Sequence, residues 1–401
     1  MLNAYVYSGL RSPFGRHGGS LANVRPDDLA ATVMKELVDR SPFEPEQIED
    51  VVLGCTNQAG EDSRNVARNA LLLAGFPTTV AGKTVNRLCG SALVAILDSA
   101  RAVTCGEGDL YLAGGVESMS RGPFVLGKSE HAYSRQALIY DTVLGSRFPN
   151  QKIVEQYGDD SMPETAHNVA LQCGLTREDV DRFALGSQTK YEKARVAGFY
   201  EDELLPISIQ TGRKTPPVLM YEDEHPRPET TYEALSKLRP LVKDSLVTAG
   251  GSSGVNDGAA MVMVGSLGMG ERAGAKPIAR ILSGAAAGVD PRVMGLGPVY
   301  AIPKALERAG LTLADMDVIE INEAFAAQML GCLQMLGIDF EDSRVNPNGG
   351  AIAIGHPTGA SGARIALTAA RQLQRISGRY AVISLCTGMG QGQAVVIERV
   401  V

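Results

Sequence analysis

The chain has 401 residues, 44% of them apolar and 45 of them glycine, with no tryptophan and a formal charge of −7 from 38 basic and 45 acidic side chains. That length allows two or three domains with more than one core, and the acidic balance disfavours a nucleic-acid partner while leaving room for an anionic ligand in a local pocket. No apolar run approaches the roughly 20 residues of a membrane span, Met1–Tyr7 looks like neither a signal nor a transit peptide, and Ile397–Val401 is no peroxisomal address, so a cytoplasmic protein with no membrane partner is expected.

Short apolar runs alternate with longer helical patterns, the sign of an α/β chain. Ile48–Cys55 and Asp109–Gly115 read as buried strands. Between them Ser91–Val103 reads as a helix apolar on nearly every face, which suits a large sandwich-like interior. From about Ser120 to Val247 the chain turns polar, charged and Pro-bearing, with an amphipathic helical pattern at Arg177–Ala197. This reads as an insertion that supplies specificity or oligomer contacts. Asp317–Asn322 and Tyr380–Leu385 read as further strands. The two ends look like copies, because Asp50 precedes Cys89 by 39 residues and Asp317 precedes His356 by the same 39. Each copy runs strand, connector, reactive residue beside a helix, then strand into a glycine-rich turn.

The six cysteines, at 55, 89, 105, 173, 332 and 386, form no C-x-x-C pair and have no His at zinc spacing. Neither a disulfide framework nor a structural metal is expected, and a buried thiol is the default for each. Cys89, in Asn86–Ser91, departs from that default by opening a helix. The helix dipole and free N–H groups there favour a thiolate and suit an oxyanion. His356 lies in Asn346–Gly362, where five glycines fall within the 14 residues from Gly349 to Gly362. Such density lets backbone approach a ligand or another backbone, and no phosphate-loop pattern accompanies it. Cys386 follows a strand and opens Cys386–Gly392, where the Gly388 N–H is a second oxyanion donor. Asn322-Glu323 ends a strand, an active-site position in α/β folds. His17, His131, His167 and His225 have no such context and read as surface or structural.

In this order and spacing, Asn86–Ser91, Gly114–Ser120, Asn322–Ala326, Asn346–Gly362 and Cys386–Gly392, together with Arg11–Gly15 and Ser253–Ala260, resemble the thiolase family of acyl-CoA acyltransferases from end to end. The resemblance implies an α/β thiolase fold of two βαβαβαββ halves stacked in five αβαβα layers. Residues 1–119 with 248–270 would form the first half, 271–401 the second, and 120–247 an inserted loop domain for CoA and oligomer contacts. It further implies thiolytic cleavage of a 3-ketoacyl-CoA by CoA through a Cys89 acyl-enzyme, reversible as a Claisen condensation, with CoA thioesters as substrates and no metal or redox cofactor.

The roles that carry over are Cys89 as nucleophile, His356 as its base and Cys386 as the acid that protonates the enolate. His356 and a water on Asn322 would hold the enolate, and the N–H groups of Cys89 and Gly388 the tetrahedral intermediate. CoA would meet Arg227, Ser253, Met162 and Ala249, while Gly251 stands where the family has Asn. Condensing enzymes of the same fold use one Cys and two His, so Asn322 and Cys386 favour a thiolase. A non-catalytic acyl-CoA or lipid binder has no use for two thiols and a base. A homo-oligomer, dimer or tetramer, is expected, with contacts at Phe124–Tyr140. Arg147–Asn150 and Tyr157–Ala166 resemble the 3-oxoadipyl-CoA thiolases of bacterial aromatic catabolism, with Arg147 as the cation for a dicarboxylic tail. Straight-chain cleavage and biosynthetic acetoacetyl-CoA formation are the alternatives.

Overall fold

The computed structural model describes residues 1–212 and 214–400, so Arg213 and Val401, the end of the expected second half, lie outside the described residues. Strands β1 (Ala4–Arg11), β2 (Asp50–Gly54), β3 (Ala81–Val85), β4 (Leu110–Ser118) and β5 (Asn256–Gly265) come from the first half. Strands β6 (Ala279–Gly288), β7 (Val318–Ile321), β8 (Tyr380–Thr387) and β9 (Gln391–Arg399) come from the second. They lie in the order β7-β8-β9-β6-β1-β5-β4-β2-β3. β2 runs parallel to β3 and β4, and β7 runs parallel to β8. Parallel neighbours require crossovers, and helices supply them: α1 (Pro26–Asp39), α2 (Val66–Leu73), α3 (Ser91–Cys105), α4 (Gly297–Ala309), α5 (Ala326–Leu336) and α6 (Ser361–Ile376).

Three apolar clusters give the layers. α1 and α2 pack on the outer face of the first half, α4 and α5 on the outer face of the second, and α3 and α6 pack on each other and on both halves of the sheet. The five αβαβα layers are those the resemblance implied. The halves meet edge to edge where Ala4–Val6 pairs with Ala279–Ile281. The second half departs from the repeat at one strand: beside β7, the place that β3 takes beside β2 is reduced to a single bridge between Ile319 and Val345.

Leu88–Cys105 is apolar and long enough to cross a membrane by length and composition alone. Its place between the sheets, with Leu93, Ile96 and Leu97 buried, makes it the core helix instead. Its last turn is the most exposed part, which leaves Cys105 exposed, unlike the buried Cys55, Cys332 and Cys386, and all six thiols are free. The chain between β4 and β5 holds a helix, Arg177–Val196, that starts where the Thr176 hydroxyl accepts the Asp179 N–H and that packs against α5.

Glycine sets how closely the halves approach. A Cβ on Gly115 of β4 would lie 1.9 Å from the Gly359 carbonyl oxygen and 2.6 Å from that of Gly54. Both obstacles are backbone, so neither can move aside. Gly115→Ala should therefore lower stability by about 1–3 kcal/mol in denaturant unfolding. Gly186, inside the helix Arg177–Val196 with open space around it, is the control: Gly186→Ala should stabilise by up to about 1 kcal/mol.

Candidate active site

Cys89 sits in a tight turn two residues ahead of α3. Leu88 adopts a left-handed φ of 47°, a conformation that costs a non-glycine residue about 1–3 kcal/mol. Its neighbours hold it there. The Asn86 side chain accepts the Leu88 N–H at 2.8 Å, and Ser91 Oγ donates to the Leu88 carbonyl at 2.6 Å while accepting the Arg87 N–H at 2.9 Å. Burial pushes the Cys89 thiol up to about 11, although the amides of Gly388 and of Cys89 itself favour the thiolate. The thiolate expected from the helix position is thus outweighed by desolvation, and the resting group is a neutral thiol.

His356 is buried and locked in one tautomer. Ser361 Oγ gives its proton to the Pro357 carbonyl at 2.9 Å, so it accepts from His356 Nδ1–H at 2.6 Å. That leaves Nε2 as the basic nitrogen, facing the Asn322 amide nitrogen at 3.4 Å. Burial first, then the charge of Arg364, lowers its pKa to about 3, so the imidazole is neutral. The backbone is fixed as tightly. The His356 N–H donates to Asn256 Oδ1 at 2.9 Å, and Asn256 Nδ2 donates to the Gly15 carbonyl at 2.9 Å. Gly355 needs its φ of 106°, and a Cβ there would lie 2.5 Å from the Asn256 side chain.

Asn322 ends β7 with its N–H on the Ser384 carbonyl, 2.9 Å away. Its buried Oδ1 has no partner among the described residues, as suits a side chain that meets substrate or water. Glu323 beside it accepts from Ser187 Oγ, Asn346 Nδ2 and the Ile352 N–H, which ties the segment before His356 to β7 and to the insertion. Cys386, on β8, packs in an apolar wall with Ala166, Val247, Met294, Ala324 and Phe325. Burial pushes its thiol well up, and repulsion from Cys89 adds to this, so the two sulfurs face one interior. A Cβ on Gly388 would lie 2.9 Å from Leu88 Cδ1, which sets the Gly388 turn against the Cys89 turn.

The opposite side is held by Glu117 of β4. Its carboxylate accepts from the N–H and hydroxyl of Thr56, the Asn57 N–H, the Thr358 hydroxyl and the Gly359 N–H. The first half thereby grips the loop just after His356. Glu117, Asn256, Ser361 and Glu323 lie inside motifs visible in the sequence, yet their partners lie far along the chain or on another element, so spacing does not reveal their tasks.

The residues expected at CoA lie on the rim. Arg227 is exposed, its backbone N–H held by Gln188 Oε1 at 2.9 Å, and it forms no ion pair among the described residues. Ser253 is half-buried and donates its N–H to the Ala324 carbonyl at 2.9 Å. Ala249 and Met162 are exposed. Gly251 has a local cause: a Cβ there would lie 2.9 Å from Val180 Cγ1, so Asn does not fit this packing. His225 lies against Gly254, close enough that a Cβ would meet its ring at 2.5 Å, and so borders the Ser253 segment. Arg147 is exposed, donates to the Thr142 carbonyl at 3.4 Å, and lines a cavity of about 360 Å³ with Thr56, Asn86 and Phe148 beside the Cys89 turn.

A neutral thiol, a neutral imidazole with Nε2 as its basic nitrogen, a second protonated thiol and two amide donors suit acyl transfer through a thioester with proton delivery to carbon. Comparison with known proteins agrees. The family model for the thiolase N-terminal domain matches residues 4–267, and that for the thiolase C-terminal domain matches residues 275–399. The chain is 54% identical to the 3-oxoadipyl-CoA/3-oxo-5,6-dehydrosuberyl-CoA thiolase of Escherichia coli K12 over 402 residues, covering 100% of both. It is 52% identical to a beta-ketoadipyl-CoA thiolase of Acinetobacter baylyi, again over 100% of both. Among solved structures, Bacillus anthracis acetyl-CoA acetyltransferase superposes with a TM-score of 0.93 at 40% identity, covering 100% of this chain and 99% of that one. Human mitochondrial 3-ketoacyl-CoA thiolase in complex with CoA gives 0.91 at 38%, covering 100% and 98%.

The raised Cys89 pKa predicts how the thiol alkylates. Because only the thiolate reacts, iodoacetamide labelling of Cys89, followed by peptide mass spectrometry, should keep rising about tenfold per pH unit from 7 to 10. An ordinary exposed thiol levels off near pH 8.5–9, and a plateau there would contradict the buried neutral thiol.

Proposed function

The chain belongs to the thiolase family and is an acyltransferase that cleaves a 3-ketoacyl-CoA with CoA; from that premise we propose how its residues share the reaction and which acyl tail it accepts. His356 Nε2 takes the Cys89 proton as Sγ attacks the 3-carbonyl. The C2–C3 bond then breaks, leaving the acyl group on Cys89 and an acetyl-CoA enolate held by imidazolium His356 and by water on Asn322. Cys386 protonates the enolate carbon and becomes a thiolate, which accepts the proton of the incoming CoA thiol. CoA attacks the acyl-enzyme, the Cys89 and Gly388 N–H groups hold the oxyanion, and His356 returns its proton to the departing Cys89. Arg227, Ser253, Met162 and Ala249 receive CoA at the rim. The observation that supports this reading is that Cys89 and Cys386, from different halves, lie close enough to act on each other, while Asn322, at the end of the strand beside that of Cys386, meets His356 Nε2.

The proposed substrate is 3-oxoadipyl-CoA. The names of the relatives that match end to end support this, as does Arg147 in its cavity beside the Cys89 turn, where Asp62 is a neighbouring acid. Self-association is proposed as well, because Phe124, Leu126, Leu138 and Ile139 of one insertion hairpin are each more than half exposed. Analytical ultracentrifugation of the wild type and of Leu126→Asp/Ile139→Asp reads that directly.

Two kinetic outcomes follow. Cys89→Ala should lose acetyl labelling by acetyl-CoA, and Cys386→Ser should still acylate but lose exchange of the acetyl methyl hydrogens with solvent. Stoichiometric labelling without Cys89, or fast exchange without Cys386, would overturn the roles. For the tail, kcat/KM should favour 3-oxoadipyl-CoA over acetoacetyl-CoA, and Arg147→Met should lower the dicarboxylate value by roughly 10- to 100-fold, the worth of a charged hydrogen bond, while sparing acetoacetyl-CoA. Equal turnover of both substrates by the wild type would refute the specificity.

A further inference from the structure

Behind His356 lies a second polar layer that the mechanism above leaves unused. On β7, Ile319 and Ile321 face the outer core while Val318 faces the middle layer, so Glu320 and Asn322 also point inward. Opposite them on α6, Ser361 holds His356, and one turn further on come Arg364 and then Thr368. Asn322, His356 and Ser361 thus form one level, and Glu320, Arg364 and Thr368 the next.

Arg364 and Thr368 are 0% exposed and Glu320 is 1% exposed. Yet Nε, Nη1 and Nη2 of Arg364, both carboxyl oxygens of Glu320, Thr368 Oγ1 and Oε2 of Glu203 have no hydrogen-bond partner among the described residues. So many orphaned groups facing one another are not tolerated dry, since each costs about 1–3 kcal/mol and a bare guanidinium more. Enclosed water joining them is the arrangement that removes the cost.

The other charged and titratable groups around this layer are accounted for. Glu203 Oε1 binds Arg11 Nε at 2.6 Å, and Arg11 also holds Asp223. Tyr200, Glu203 and Arg11 act on Arg364, while Glu323, Lys190 and Glu203 act on Glu320. Lys190 itself donates to the Val345 carbonyl. On its front side His356 Nε2 meets Asn322 Nδ2 at 3.4 Å. Among the described residues, Arg364 is the charged group that acts on the imidazole, after burial itself.

We propose that Arg364, coupled to Glu320 through enclosed water, is a positioning residue for the general base, its buried positive charge keeping the His356 imidazole unprotonated until Cys89 supplies a proton. The same charge favours each anion formed in front of His356 and makes the imidazolium a readier donor when the proton returns. Burial raises the pKa of Glu320, which weakens its cancellation of the guanidinium. The inference rests on His356 acting as the base.

The test is the titration of His356 by ¹⁵N NMR of histidine-labelled full-length protein, assigned with His356→Asn, alongside the pH profile of kcat/KM. In the wild type and in Arg364→Lys, the ring should stay neutral, protonated on Nδ1, from pH 8 down to 5. In Arg364→Met its pKa should rise by one unit or more, with the acid limb of kcat/KM moving by the same amount. Arg364→Gln, which leaves a polar group in the chamber, provides a second charge-free variant should Met disturb folding. A wild-type ring titrating near 6.5 would overturn the proposal whatever the variants do. So would charge-free variants that leave the titration in place and lower kcat evenly at every pH. Normal acylation by His356→Asn would instead refute the base assignment, separately from the effect of the charge.

Discussion

The site exists because two backbones touch across the middle layer. On one side Gly359 of the His356 loop lies against Gly115 and Glu117 of β4; on the other Gly90 of the Cys89 turn lies against Thr387 at the end of β8. A methyl group at the first contact would run into backbone, and one at the second would press on the Thr387 side chain at 2.9 Å. Glu117 converts the first contact into a lock by accepting hydrogen bonds from both sides of it. Such a carboxylate is costly to bury, and desolvation does raise its pKa, but the donors around it repay much of that cost.

The two contacts lie at related places in the two pseudo-symmetric halves. Strand registers pair Val51 with Leu112 and Val318 with Ala381. If Asp50 matches Asp317, then Cys89 matches His356, Cys55 matches Asn322 and Glu117 matches Cys386. Each half thus sends its helix-opening loop onto the strand end of the other. At one strand end stands a thiol in an apolar wall; at the other stands a carboxylate saturated with donors. Cys55, Asp62 and Glu117 lie close enough to suggest a metal site, their ligand atoms within 4.8 Å. The donors already on Glu117 read better as a tie between the halves, so the duplicated framework has specialised into one reactive end and one structural end.

This division explains what could be read from the sequence. The strands and the buried helix, read over Ser91–Val103 and running to Cys105, were legible because apolar period is a local signal. The glycines of Asn346–Gly362 announced a close approach but not its object, since Glu117 lies more than 200 residues away. Asn256 was unreadable for the same reason, since its hydrogen bonds to Gly15 and His356 exist only in the fold, while Ser361 meets His356 and Pro357 through a local turn that spacing alone does not reveal. The third strand of the second half was not legible either, because a single bridge at Val345 needs no apolar run. The raised pKa of Cys89 was not legible, since the helix-opening position that favours a thiolate is local while desolvation depends on the folded surroundings.

That reversal bears on how such a site works. Thiolate, enolate and tetrahedral oxyanion must each form in turn at nearly one place, so a permanent thiolate–imidazolium pair would favour the first at the expense of the others. A resting site of neutral groups avoids this. The Leu88 turn, the Gly388 turn and the Asn322 side chain hold donors in place before any charge appears, which is where preorganised electrostatics acts most strongly. The apolar wall around Cys386 keeps its thiol protonated until a carbanion needs a proton, and it screens the acyl thioester from water. Burial that makes each thiol a poor nucleophile at rest is therefore also what lets one pocket stabilise three successive anions.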